Sequence, residues 1–368
     1  MKLEVIQPIE VAAEPLPEEF SQSRLRQSLL VIGLVVVAVV ALLTLLPGLN
    51  SLQHSFAGAE PGWLLLGLLL ELLSCASYVL VFRFVFCDRM TWRTSVEIGL
   101  SEQAANSLLS VGGTGGLALG AWILRRGGVP GGDIARRTVA FFLLTSLANV
   151  GFLALGGIAL ASGVVSGPSN LLLGIVPALV GIAAIALAMA AGPAGHALAE
   201  RTRRPKVEAV LRTLALGVEE AVALLRSRTW AVAIGSAGYM LFDIAVLAVC
   251  FPAFGNPLPP LGVLLLAYII GQLGGLIPLP GGIGGLDLGL IGALVLYGVD
   301  ATDAAVAVLA YRGLLLAVPA AIGLPALATL RRRLRSEEHD IAACVPGQEV
   351  EILGGGRVRM PPLARTAE

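Results

Sequence analysis

Long apolar runs separated by short polar connections dominate this chain. Residues 28–46, 63–82, 138–161, 171–191, 230–251 and 304–330 are each long enough to cross a bilayer as a helix, which takes roughly 20 residues. They are predicted as six full transmembrane helices. Two further apolar stretches, 94–124 and 261–297, are interrupted midway by glycine clusters. Such a cluster ends a membrane helix and lets two backbones approach closely. Each stretch is therefore predicted as a re-entrant hairpin of two short helices.

The two clusters are copies of one another. Residues 112–120 read GGTGGLALG and residues 281–289 read GGIGGLDLG, identical at seven of nine positions. The match reaches back to Gln103 and Gln272. After a one-residue slip it reaches forward to Gly128, Val129 and Asp133 against Gly298, Val299 and Asp303. Helix-packing glycines would account for one cluster, but a nine-residue repeat with shared flanks points to an internal duplication. The helix-breaking residues are Gly112, Gly113, Gly115 and Gly116 in one copy and Gly281, Gly282, Gly284 and Gly285 in the other.

The charges add direction. The first broken stretch lies between Arg83, Arg89 and Arg93 on one side and Arg125, Arg126, Arg136 and Arg137 on the other. The second lies between segments 252–260 and 298–303, which contain no Lys or Arg. Basic loops stay in the cytoplasm, so the first hairpin is expected to dip in from inside and the second from outside. Repeat unit 1 (63–161) then becomes repeat unit 2 (230–330) turned over. Segment 192–228 is basic, and within it Val207, Val210, Leu211, Leu214, Val218, Val222 and Leu225 recur at helical spacing. It reads as an amphipathic linker helix on the inner membrane surface. Residues 1–27 and 331–368 read as disordered cytoplasmic tails flanking a 28–330 membrane domain. The fold class expected is an all-α polytopic inner-membrane protein with both termini inside.

Composition agrees: 56% hydrophobic, 14% charged, mean hydropathy +0.85. A net charge of zero gives no reason to expect a nucleic-acid partner. Cys75, Cys87, Cys250 and Cys344 form no CxxC pair, and Cys75 and Cys250 read as inert small hydrophobes inside spans. His54, His196 and His339 lack metal-ligand spacing. No Walker A sequence is present, and the glycine runs follow no soluble strand, so neither nucleotide nor other cofactor is expected.

Ionisable groups within a bilayer cost several kcal/mol unless paired or solvated, which makes each a functional candidate. They are Glu71, Glu97, Glu102, Asp243, Asp287 and Arg312, with polar Gln103, Asn106, Asn149 and Gln272 around them. Glu97 lies near the basic end, where solvent suffices. Glu102 and Asn106 share a face, four residues apart. Asp287 opens the returning half of the second hairpin, where an acid also caps free N–H groups. Arg312 requires a carboxylate, from Asp287, Asp243, Glu71 or Glu102, and with two half-helix N-termini could meet a phosphate. The expected substrate-binding set is Glu71, Glu102, Asn106, Asp243, Gln272, Asp287 and Arg312, around a cavity between the repeats.

Residues 280–287 (Pro-Gly-Gly-Ile-Gly with an acid three residues on), Arg312 and Pro319 resemble the flippase-like transmembrane region of lysylphosphatidylglycerol synthases, as does the earlier Asn106 and its Gly-rich turn to Gly120. The resemblance covers roughly residues 28–330. It implies an inverted-repeat domain that moves a lipid, or a lipid-linked saccharide, between leaflets. That family usually has Glu where Asp287 stands. Only a short tail follows Leu330, so the aminoacyl-transferase domain of the synthases, and with it lysyl-lipid synthesis, is not expected, and the protein is not expected to be an enzyme. Two other classes compete. A membrane-embedded lipid-phosphate enzyme would need a nucleophile or acid–base group at the hairpin tips, where only glycines, Thr114 and Ile283 stand. A non-transporting scaffold of cell-envelope assembly would not need buried charges.

Overall fold

A computed structural model of the protein describes residues 58–108, 114–227, 230–276, 285–342 and 344. Ten α-helices and no strand occur among the described residues: α1 Pro61–Phe86, α2 Trp92–Leu108, α3 Thr114–Arg126, α4 Gly131–Ala161, α5 Leu172–Arg201, α6 Pro205–Arg226, α7 Trp230–Ala253, α8 Leu261–Gln272, α9 Gly285–Leu296 and α10 Ala301–Ala342. A 3₁₀ turn, Leu273–Leu276, continues α8. Five helices are long and apolar enough to cross a membrane: α1, α4, α5, α7 and the Ala301–Leu330 part of α10. The shortest, α7 with 24 residues, is about 36 Å long at 1.5 Å per residue, against a hydrocarbon core of about 30 Å. The expected span 28–46, the tail 1–27 and the glycines Gly112, Gly113, Gly281, Gly282 and Gly284 lie outside the described residues.

Both interrupted stretches are pairs of short helices, as their glycines require. Among the clustered glycines, Gly115 and Gly116 lie in the first turn of α3 and Gly285 opens α9. Their partners end in the same way. The N–H of Gly128 donates to Arg125 O and that of Val129 to Leu124 O; Gly298 and Val299 repeat this on Val295 and Leu294. Both glycines take φ +91°, the left-handed conformation that terminates a helix in this motif. Helix starts recur too: α1 and α7 begin at residues 61 and 230, α2 and α8 at 92 and 261, a separation of 169 in each case.

The packing repeats along with the sequence. α1 lies against α7, and Glu60 N–H donates to Ala253 O (2.8 Å), so the start of one meets the end of the other and they run antiparallel. α2 packs on α10 as α8 packs on α4; α2 on α3 as α8 on α9; α1 on α4 as α7 on α10; and α4 on α7 as α10 on α1. Exchanging the two halves maps these helix contacts onto themselves. α5 and α6 stand outside the exchange and pack on α4 and each other.

Small residues set the close contacts. Added Cβ atoms at Gly157 and Gly174 would lie 2.6 Å from Ala178 N and 2.7 Å from Ala161 N, so the α4–α5 backbones touch. At the α8–α9 crossing, a Cβ on Gly271 would lie 2.6 Å from Leu290 Cα, and one on Gly289 would lie 2.6 Å from Gly271 O. Two large hydrophobic cores and a small cluster at Ala253, Phe254 and Val306 result among the described residues. One large core, around Phe82, Phe86, Ile123 and Phe141, fills the arginine-rich end; the other, around Leu247, Phe251, Leu264 and Tyr311, fills the opposite end.

The linker helix forms as its periodicity predicts, but much of its apolar face remains open. Ala215, Gly217, Val218 and Ala221 are buried, whereas Val207, Val210, Leu214 and Leu225 are exposed. Glu220 pairs with Arg136 (2.6 Å) and anchors α6 to the start of α4.

One expectation needs correction, and one feature had no sequence signal. A disordered tail from residue 331 is wrong for its first part, because α10 continues to Ala342. Ile341 is buried and fills the space above Gly127. In addition, Cys87 and Cys344, which no spacing rule connects, form a disulfide across 257 residues. Cys75 and Cys250 are free and buried, as expected.

Gly157→Leu and Gly271→Leu should each lower the thermal unfolding temperature in detergent, since overpacking such contacts costs about 1–3 kcal/mol or more. Gly292→Ala should leave it unchanged, as nothing lies within 4 Å of a Cβ there.

Candidate functional site

Between the two cores lies a polar cavity of about 380 Å³. Its walls come from α1 (Glu71), α2 (Gln103, Asn106, Ser107), α4 (Thr145, Ser146, Asn149), α7 (Ser236, Tyr239, Asp243), α8 (Tyr268, Gln272) and α10 (Tyr311, Arg312). Six helices thus turn polar residues to one chamber. Five of the seven expected site residues line it: Glu71, Asn106, Asp243, Gln272 and Arg312.

Asp243 is held from three directions. Tyr268 and Tyr311 donate to its Oδ2 at 2.6 and 3.3 Å, and Ser74 donates to its Oδ1 at 3.3 Å. Ser74 and Asp243 are themselves 169 residues apart, so equivalent positions of α1 and α7 face each other here. Hydrogen bonds from neutral hydroxyls to a buried carboxylate offset much of its desolvation cost.

Glu71, one turn from Ser74, has no such support. It is 1% exposed. The Cys75 thiol approaches its Oε1 at 4.0 Å, and its Oε2 has no hydrogen-bond partner among the described residues. Ser236, 5% exposed, likewise leaves its hydroxyl without a partner. A buried carboxylate and a buried hydroxyl, both at a cavity wall, are groups a ligand or water would satisfy.

Asp287 does not line the cavity, although its neighbour Leu286 and its partner Arg312 do. Its Oδ1 lies 2.9 Å from Arg312 Nε. Of the four carboxylates considered for Arg312, the nearby start of α9 supplies the partner. The pair offsets its own charges, and Glu71 and Asp243 are the carboxyl groups that line the chamber.

Glu102 is the expected site residue that the structure places elsewhere. It is 2% exposed, accepts a hydrogen bond from Tyr78 (2.9 Å), and fills the space that Gly120 leaves by lacking a side chain. Asn106, four residues on, both reaches the cavity and accepts the Gly116 N–H (2.8 Å) at the start of α3. The shared face predicted for these two residues is therefore the face that joins α2 to α3. Gln103 donates to Cys75 O at 3.2 Å. Glu97 is bound by Arg93 at 3.1 Å.

The tyrosines were missed, because a scan for ionisable groups passes over them. Only five occur in the chain, and three of their hydroxyls bond buried carboxylates. Their spacing carried one signal: Tyr268 precedes Gln272 by four residues, on the same helix face. No cluster of three or more His, Cys, Asp or Glu suited to a metal occurs among the described residues.

The family model described as "Lysylphosphatidylglycerol synthase TM region" matches residues 30–323. No curated protein matches the chain.

Tyr268→Phe, which removes a charge-assisted buried hydrogen bond, should destabilise the protein by about 1.5–3 kcal/mol in chemical or thermal unfolding. Arg312→Met and Asp287→Leu should each destabilise it, and the double variant should lose less than the sum of the two. Removing one partner strands the other, whereas removing both does not.

Proposed function

The chain belongs to the lysylphosphatidylglycerol synthase transmembrane-region family, and from that premise we propose that it carries the polar headgroup of a membrane lipid between leaflets. The carrying observation is the polar chamber, lined by two buried carboxylates, within a bundle of predominantly apolar helices. Charges in such a place are costly and are kept where a polar solute passes. The headgroup of a lipid or lipid-linked saccharide would enter the chamber while its hydrocarbon chains stay in the apolar surroundings. In this reading the protein transports and does not catalyse, and uses no cofactor.

The transport reading includes an inverted arrangement of the two halves. Antiparallel α1 and α7, and helix contacts that survive exchange of the halves, support it. So does the position of the cavity between broken helices, where transporters of this architecture bind substrate. We assign the arginine-rich end, with both termini, to the cytoplasm of a cell whose inner membrane holds the protein. There the Cys87–Cys344 bond would face a reducing compartment. The packing of Ile341 over Gly127 would hold the end of α10 without it.

The roles divide by geometry. Glu71, with its free oxygen, is the first contact for a cationic or hydrogen-bond-donating part of a headgroup. Arg312, held by Asp287, is positioned to meet a phosphate. Asp243 and its tyrosines fix the α1–α7 seam through which both must be read.

Reconstituted protein should exchange fluorescent lipids between leaflets. Glu71→Gln and Arg312→Gln should slow the exchange at least about tenfold, as expected if each group contributes more than about 1.4 kcal/mol to the crossing. Folding of each variant is checked by thermal unfolding. No exchange of any phospholipid or polyprenyl-phosphate sugar by folded wild type would contradict the proposal.

A further inference from the structure

A second cavity runs along the seam of α4 and α7 and meets the polar chamber at one residue. It has a volume of about 270 Å³, and Leu147, Gly151 and Leu155 of α4 and Ala233, Ser236 and Ala237 of α7 are among its lining. Ser236 also lines the polar chamber. The two helices therefore change character within a turn. α4 turns Thr145, Ser146 and Asn149 to the chamber and an apolar stripe to the groove; α7 turns Tyr239 and Asp243 to the chamber and alanines to the groove.

We propose that this groove seats one hydrocarbon chain of the transported lipid, with its polar end crossing Ser236 into the chamber. The inference rests on the transport reading above and adds to it the route by which an amphiphile is held. Three observations support it. The groove opens outward, where Leu155 and Ala233 are exposed. The junction carries a 5%-exposed hydroxyl without a hydrogen-bond partner among the described residues, placed to donate to an ester or phosphate oxygen of a lipid. The groove wall is unfilled at Gly151, where an added Cβ would have nothing within 4 Å. The larger apolar groove, about 700 Å³ between α3, α4 and α6, shares no lining residue with the chamber and has no such junction.

The test uses the full chain in vesicles containing phosphatidylglycerol with a diazirine in one acyl chain. After illumination, adducts are mapped by mass spectrometry. Labelling should concentrate on α4 144–155 and α7 232–237, several-fold above the exposed, lipid-facing Leu187 region of α5. Gly151→Phe fills the open wall and should reduce seam labelling to the α5 level; Gly151→Ala should retain it. Ala233→Leu, on the opposite wall and exposed, serves as the second blocking variant if the first unfolds. Equal labelling on all lipid-facing helices, or seam labelling unchanged by either folded blocking variant, would overturn the proposal. Lipid exchange measured on the same vesicles separates the two readings. Seam labelling without exchange upholds the seat and contradicts transport; exchange without seam labelling does the reverse.

Discussion

Hydrocarbon offers no hydrogen bonds, so a helix that ends inside a membrane must find partners for its terminal backbone groups within the protein. Much of this structure follows from that constraint. α2 and α3, and likewise α8 and α9, are short helices that pack on each other. Each pair closes on itself through glycines. Asn106 takes the Gly116 N–H, Glu102 fills the gap at Gly120, and Gly271, Gly274, Gly285 and Gly289 bring the α8 and α9 backbones into contact. The equivalent crossing is thus made with a buried acid in one half and with glycine alone in the other.

The packing of these short helices against the long ones places polar groups around one chamber. The short helices end where the long ones turn their polar residues inward. Charge there is managed in three different ways. Asp287 and Arg312 pair with each other, Asp243 is surrounded by hydroxyl donors, and Glu71 keeps an oxygen without a hydrogen-bond partner among the described residues. Of these carboxyl groups, Glu71 is the one assigned transport chemistry, and Asp243 is assigned structural support. A wholly structural core would have no reason to retain the uncompensated acid, since apolar replacements pack as well at less cost.

Much of this was legible in the sequence, because the signals were local. Apolar run lengths placed α1, α4, α5, α7 and α10, glycine clusters placed the breaks, and the slipped match of Gly128 with Gly298 located two identical helix ends. Counting buried ionisable residues found Glu71, Asp243 and Arg312 in the chamber. What escaped depends on distance in space. The direction of Glu102 is fixed by Gly120 on another helix, and the tyrosines matter only through the carboxylates that they reach. The Cys87–Cys344 contact and the extension of α10 to Ala342 depend on packing between chain segments far apart in sequence. Arginines beyond Leu330 looked like the end of a span, although a helix can leave the membrane without stopping.

The central claim is that the halves face opposite sides around one chamber, and side-specific cysteine labelling tests it most directly. Single cysteines at Asp88, Gly131, Asn256 and Asp300, in a cysteine-free background, bracket the two broken-helix pairs. An impermeant maleimide is applied to vesicles of each orientation. The account requires positions 88 and 131 to react from one side and positions 256 and 300 from the other. Reaction of all four from the same side, or of either bracketing pair from opposite sides, would contradict it.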